Sequence, residues 1–127
     1  MIKHILLVGS GGFVGASLRY LLNLFFFETL GFNFFPLGTL VINVLGCALI
    51  GLLSGLIELK GMFSIELRLL LIVGVLGGFT TYSSFGLETY NLMKSEFIGT
   101  AFINIFLQLS LGLLAVQLGF KLATYFH

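Results

Sequence analysis

The chain has 127 residues, 58% of them hydrophobic and 9% charged, with a single proline and a net charge of +1. Soluble domains carry about 25% charged residues, so this composition, with a mean hydropathy of +1.15, describes an integral membrane protein. Nucleic acid is excluded as a partner because no basic stripe exists to neutralise phosphates, and the lone cysteine, Cys47, excludes an intrachain disulfide and a cysteine zinc cluster.

A helix needs roughly 20 apolar residues to cross the hydrocarbon. Four segments meet that length, and they predict an all-α protein with one four-helix transmembrane domain over residues 1–127. The first span runs from about His4 to Phe27, with Arg19 as its only full charge. Its start, Met1-Ile2-Lys3 before an apolar stretch and Gly15-Ala16, imitates a signal peptide, but the apolar run exceeds an h-region and is read as a retained span. The second runs from Leu37 to Ile57 and holds no ionisable carboxylate or amine. The third, Leu67 to Leu92, carries Arg68 near its start and Glu88 near its end. The fourth, Phe97 to Leu122, is charged only at Lys121. Short connections fall around Glu28 to Pro36, Glu58 to Glu66 and Lys94 to Glu96.

An even number of spans puts both termini on one side, together with Lys3, Lys60, Arg68 and Lys121, whereas Lys94 and Arg19 fall toward the other. The positive-inside rule then favours cytoplasmic termini, by a small bias.

Each span has a stripe of small or polar residues at helical spacing. Gly12, Gly15, Ala16 and Arg19 share a face of the first, where Gly11 and Gly15 form a GxxxG pair. Thr39, Asn43, Gly46 and Cys47 share a face of the second, which also has the GxxxG pair Gly51 and Gly55. Asn104, Gln108, Gly112, Ala115 and Gly119 line the fourth. Such stripes predict close helix packing, within one chain and between copies. The glycines Gly9, Gly12 and Gly15 after an apolar run also imitate a dinucleotide-binding turn. That fingerprint requires a βαβ unit, and everything downstream is membrane helix.

The third span is interrupted by Gly77-Gly78-Phe79-Thr80-Thr81-Tyr82-Ser83-Ser84-Phe85. Two glycines free the backbone, and hydroxyls compete with it for hydrogen bonds, so the helical ladder is predicted to break near its middle. Irregular backbone within a bilayer is tolerated only inside protein or along a wet cavity, which points to a pathway. Beside it, Arg19 is read either as an anchor that snorkels to the headgroups or as an electropositive vestibule. Asn43 offers two donors and an acceptor in mid-span. Glu88, the one carboxylate within a span, sits a turn beyond Phe85. Tyr82 and Phe85, three residues apart, present their rings on one helix face, and a ring edge attracts a small anion without adding a full charge.

Three ordered stretches carry a resemblance. Gly12-Phe13-Val14-Gly15-Ala16-Ser17-Leu18-Arg19-Tyr20, Pro36-Leu37-Gly38-Thr39-Leu40-Val41-Ile42-Asn43-Val44-Leu45-Gly46 and Gly77 to Phe85 resemble the signature stretches of the CrcB/Fluc fluoride channels. The resemblance covers essentially the full chain. It implies an antiparallel dual-topology homodimer in the bacterial plasma (inner) membrane, with two fluoride pathways and a structural sodium ion at the dimer interface. It further implies that the carbonyls of Gly77 and Thr80 hold the sodium, that Asn43 supplies amide donors and Phe85 a ring edge to fluoride, and that Arg19 stands at a vestibule. The resemblance also implies that Thr39, Ser83, Ser84 and Glu88 line or organise the approach. Two positions depart from the family's pattern: Tyr82 stands where it has phenylalanine, and Asn104 and Gln108 stand where it often has hydroxyls, so that amides take over the polar track.

The function so implied is passive, selective fluoride efflux conferring fluoride resistance, with no catalytic residues and no enzymatic step. A proton-coupled exporter of the small multidrug type is the alternative. It would be expected to place a glutamate in the first span, and none occurs between Met1 and Phe27. A non-transporting assembly protein would use the small-residue faces but leave the polar interruption idle.

Overall fold

A computed structural model describes residues 1–31 and 35–126. Four helical stretches in it are long and apolar enough to cross a membrane: Ile2–Thr29, Leu37–Lys60, Ile65–Lys94 and Ile98–Ala123. No β-strand occurs among the described residues, so the glycines that imitate a nucleotide turn lie inside a helix. The first and third stretches extend two residues beyond their sequence-derived bounds at both ends and the second three residues at its C-terminal end, while the fourth is shifted by one residue. Residues 32–34, in the first predicted connection, lie outside the described residues.

Helix α1 (Ile2–Leu24) continues without a stop into π-helical turns at Phe25–Thr29. Helix α2 (Leu37–Lys60) ends at Gly61, whose φ of 63° is the left-handed conformation that closes helices where no Cβ interferes. The third stretch comprises α3 (Ile65–Arg68), π-helical turns over Leu69–Leu76, α4 (Gly77–Phe79) and α5 (Tyr82–Lys94). Ser64 starts it by accepting the Leu67 amide at 3.3 Å, which satisfies one of the orphan donors of a helix N-terminus. Helix α6 (Ile98–Ala123) is continuous.

These elements form two closely packed pairs. Helix α1 lies along the first half of the third stretch, and α2 lies along α6, while α5 leans on α6 and touches α2. Lys3 meets Glu66 at 3.2 Å at one end of the first pair.

Glycines make both pairs possible. A Cβ on Gly78 would come within 2.6 Å of the Gly12 carbonyl oxygen, and one on Gly74 within 2.9 Å of the Gly11 Cα. In the second pair, Gly51, Gly55 and Gly119 face the backbones of Val116, Phe120 and Ala48 across the α2–α6 contact, with no room for a side chain. Between apolar helices in lipid there is no hydrophobic drive to associate, so dispersion contacts at this range must supply the attraction. The predicted GxxxG pairs on α1 and α2 both pack in this way within the chain.

The irregular backbone falls at Thr80 (φ −79°, ψ 158°) and Thr81 (φ −149°, ψ 115°), both extended. The sequence pattern gives the glycines and the hydroxyls a shared part in the interruption, and of these Gly77 is helical (φ −62°, ψ −35°). Gly78 is needed for close approach to α1, and the hydroxyls end the ladder. The Thr80 hydroxyl donates to the Leu76 carbonyl at 3.0 Å. The Thr81 oxygen accepts the Ser84 amide at 3.1 Å and so caps the N-terminus of α5.

Candidate functional site

The extended residues Thr80 and Thr81 would leave polar backbone unmatched inside the bilayer, where each unsatisfied group costs several kcal/mol. Side chains from the neighbouring helices supply the missing partners. Asn43 on α2 accepts the Thr81 N–H through Oδ1 at 2.8 Å and donates from Nδ2 to the Thr81 carbonyl at 3.0 Å. The same Nδ2 donates to Oε1 of Gln108 on α6 at 3.1 Å. From α1, the half-buried Arg19 points a guanidinium nitrogen at the Thr80 carbonyl, 3.4 Å away. Arg19 thus turns inward to the interruption.

One helical turn away a second polar level repeats the arrangement. Thr39, four residues before Asn43, donates to Oε1 of Glu88 at 2.7 Å. Asn104, four residues before Gln108, is fully buried and donates through Nδ2 to the Thr89 hydroxyl at 3.0 Å. Thr89 in turn donates to the Phe85 carbonyl at 2.7 Å. Side chains four apart lie on one helix face, so Thr39 and Asn43 on α2, Ser84 and Glu88 on α5, and Asn104 and Gln108 on α6 form three facing rows.

The two levels open on two cavities. The first, of about 700 Å³, has Thr39 and Glu88 in its wall with Asn23, Asn91, Ser95 and Thr100. The second, of about 360 Å³, is lined by Asn43, Thr80, Thr81, Tyr82, Phe85 and Gln108. The rings of Tyr82 and Phe85 lie 5.7 Å apart, tilted by 60°, on one side of α5 as their spacing predicts. Tyr82 is 84% exposed on this chain, and Gly77 and Ser83 are also on its outer face.

Three buried side-chain atoms have no partner among the described residues: Oε2 of Glu88, Oδ1 of Asn104 and Nε2 of Gln108. All three belong to the rows just described. Buried polar atoms are hydrogen-bonded in the great majority of structures, and these three lie without a protein partner on facing helices. Among the described residues no group of His, Cys, Asp or Glu is arranged to ligate a metal ion.

The sequence-derived candidates Asn43, Gln108, Ser84, Thr39, Glu88, Asn104 and Phe85 are thus brought together, with Tyr82 beside them. Ser83 stands on the outer face, with its hydroxyl 3.4 Å from that of Thr81. Thr81 and Thr89 are the residues that reading the sequence passed over as site members. Thr81 was visible as part of a hydroxyl run, and Thr89 follows Glu88 directly. Neither spacing reveals that one binds Asn43 through its backbone and the other bridges α6 to α5.

A family profile described as "CrcB-like protein, Camphor Resistance (CrcB)" matches residues 6–120. The chain belongs to the CrcB family. It is 43% identical over 118 residues to the "Fluoride-specific ion channel FluC" of Clostridium perfringens, covering 93% of this chain and 91% of that protein. It is 40% identical over 120 residues to the FluC of Methylobacillus flagellatus, covering 94% and 93%. With "Fluoride-specific ion channel FluC 1" of Methanosarcina acetivorans it shares 44% identity over 115 residues, covering 91% and 86%. These CrcB relatives are named as ion channels, not enzymes, and the profile spans the polar rows from Arg19 to Gln108.

Proposed function

We propose that this chain forms a fluoride-selective channel that lets fluoride leave the cell passively, down its electrochemical gradient. The observation that carries the reading is the facing rows of polar side chains on α2, α5 and α6 in a chain whose relatives are named fluoride channels. Fluoride is small and strongly hydrated, so a selective path must replace its water with donors in a narrow, multi-site route. The route runs from the larger cavity past Thr39 and Glu88, beside Asn104, to the level of Asn43, Gln108 and Ser84. There the edges of Phe85 and Tyr82 face it, and Ser83 stands at its outer rim. Arg19 gathers the anion electrostatically from beside the interruption. The proton-coupled exporter is disfavoured because no glutamate occurs between Met1 and Phe27, and Glu28 falls only in the last turn of the first stretch.

The working unit in this proposal is an antiparallel, dual-topology homodimer in the bacterial inner membrane, with two pathways. What supports a second copy is the outward placement of Gly77 and Tyr82, which leaves the wall of the smaller cavity open on a single chain.

The third span functions as a broken helix whose freed carbonyls hold a sodium ion. The backbone fits such an ion. The Thr81 amide, which would bond the Gly77 carbonyl in an unbroken helix, donates instead to Asn43. The Ser84 amide, which would bond the Thr80 carbonyl, donates to the Thr81 hydroxyl. Both carbonyls are therefore released from the ladder, although that of Thr80 also accepts from the Arg19 guanidinium at 3.4 Å, and carbonyl oxygens suit a hard cation. Bound there, sodium would supply positive charge and rigidity at the interface. The chain's own part is to release those carbonyls from the helical ladder.

Proteoliposomes loaded with fluoride and read with a fluoride electrode test the function. Release far above that of protein-free liposomes is expected. No release would overturn the proposal, and equal chloride flux would remove the selectivity.

A further inference from the structure

We infer that Gly46 on α2 is a positioning residue for the cation site: it receives the Thr80 side chain, and so fixes the Thr80 carbonyl in the direction of a ligand. The inference rests on the sodium reading given above and assigns that site a residue from outside the third span.

Every group of Thr80 except its carbonyl is tied down. Its N–H donates to the Leu76 carbonyl at 3.0 Å, the last rung of the ladder before the interruption. Its hydroxyl donates to the same carbonyl at 3.0 Å. On a β-branched side chain, fixing the hydroxyl also fixes the methyl, because the two branches occupy neighbouring staggered positions. That methyl, Cγ2, lies against Gly46, in the space where any other residue would carry its Cβ. Gly46 is buried, and the notch it leaves is filled by this methyl.

The same helix fixes the next peptide plane. Asn43 holds the Thr81 N–H at 2.8 Å and the Thr81 carbonyl at 3.0 Å. In a trans peptide the C=O and the N–H lie in one plane and point opposite ways. The Thr81 N–H points at α2, so the Thr80 carbonyl, in the same plane, points away from it. There the Arg19 guanidinium approaches to 3.4 Å, and a carbonyl oxygen has a second lone pair for a cation. Asn43 and Gly46 are three residues apart and share a face of α2. Asn43 sets the peptide plane, and Gly46 sets the Cα from which that plane starts.

A methyl at position 46 cannot be absorbed without disturbing this arrangement, because it would overlap Thr80 Cγ2. Turning Thr80 about χ1 takes its hydroxyl off the Leu76 carbonyl and loosens the residue. Moving the backbone instead displaces the Thr80 carbonyl itself. The same geometry supplies the remedy. With Cγ2 removed, a Cβ at position 46 would meet Thr80 Cβ and Phe79 Cδ1 at 3.6 Å, ordinary van der Waals contact. The double variant Gly46→Ala/Thr80→Ser therefore moves one methyl across the contact while keeping the hydroxyl.

Sodium-dependent melting of the purified protein in detergent tests the role, with sodium chloride exchanged for N-methyl-D-glucamine chloride at constant ionic strength. A cation that binds only the folded protein raises the melting temperature once its concentration exceeds its dissociation constant. Wild type should show that rise. In Gly46→Ala its onset should move to roughly 10- to 100-fold higher sodium, the range typical of residues that orient metal ligands. Thr80→Ser alone empties the notch and should move the onset severalfold. The double variant should return it to within a few-fold of wild type.

A merely structural role for Gly46 would lower the melting temperature equally in both media and leave the onset unmoved, and that result would overturn the inference. A double variant no better than Gly46→Ala would do the same. Should Gly46→Ala fail to fold, Thr80→Ser carries the test, and a wild-type onset in it refutes the role. If wild type shows no sodium-dependent rise, the sodium reading fails and the role with it. A wild-type rise with an unchanged onset in Gly46→Ala removes the positioning role alone.

Discussion

The two halves of the third span solve the same packing problem in opposite ways. Before the interruption, the stretch from Ile65 to Phe79 meets α1 backbone to backbone, with Gly74 and Gly78 against Gly11 and Gly12. After it, α5 meets α2 and α6 through side-chain hydrogen bonds, Thr39 to Glu88 and Asn104 to Thr89. A glycine contact excludes everything, water and ions included. A polar contact holds helices together while leaving lone pairs and protons for a visitor. The difference teaches that the first half fixes the position of the interruption and the second half uses it.

That contrast can be broken most severely on the dry side. In Gly15→Val the new side chain would collide with the Val75 carbonyl and the Phe79 amide, backbone atoms that cannot step aside. Overpacking of this kind costs about 3 kcal/mol or more, and the variant should be lost as aggregate in size-exclusion chromatography in detergent.

On the polar side Asn43→Ala comes next. It strips partners from the Thr81 N–H, the Thr81 carbonyl and Gln108 together. Leaving buried backbone groups unpaired costs about 1–3 kcal/mol, so the protein should still assemble but melt earlier, with fluoride efflux reduced by more than roughly tenfold. Thr39→Val preserves shape and removes the hydroxyl that serves Glu88. Interhelical hydrogen bonds in membranes average about 0.6 kcal/mol. The expected result is a barely altered melting point, with a severalfold change in flux that separates function from stability.

The smallest effect is expected from Tyr82→Phe. The Tyr82 hydroxyl has no hydrogen bond among the described residues and the ring is largely exposed on the single chain, so stability should change by less than about 0.5 kcal/mol. Flux should remain within a few-fold of wild type, since the ring edge is unchanged. A large loss of efflux in this variant would show that the hydroxyl itself handles the ion.

Much of this was legible in the chain. Periodic small residues located the faces that pack, because only glycine admits the backbone contacts found at Gly15, Gly51 and Gly119. The polar candidates on α2 and α6 stood out because an amide in an apolar span must find a partner. The stretch Gly77 to Phe85 was visible as irregular, but not which of its glycines and hydroxyls leave the helix: the extended residues are Thr80 and Thr81. Glycine permits irregular backbone without demanding it, and which residue leaves the ladder depends on where α2 offers a partner. The direction of Arg19 was likewise open, since a long side chain on a helix reaches either headgroup or protein until its neighbours are known.

What the amino-acid order determined by itself is local or additive: four spans from summed hydropathy, packing faces from helical period, and a family from three ordered stretches. What the tertiary structure alone decided is the accounting of hydrogen bonds. Asn43 has the same two protons in any fold, and only the approach of Thr81 and Gln108 from distant parts of the chain spends them. A donor's availability is a property of its surroundings, because a proton engaged by one acceptor is withdrawn from every other.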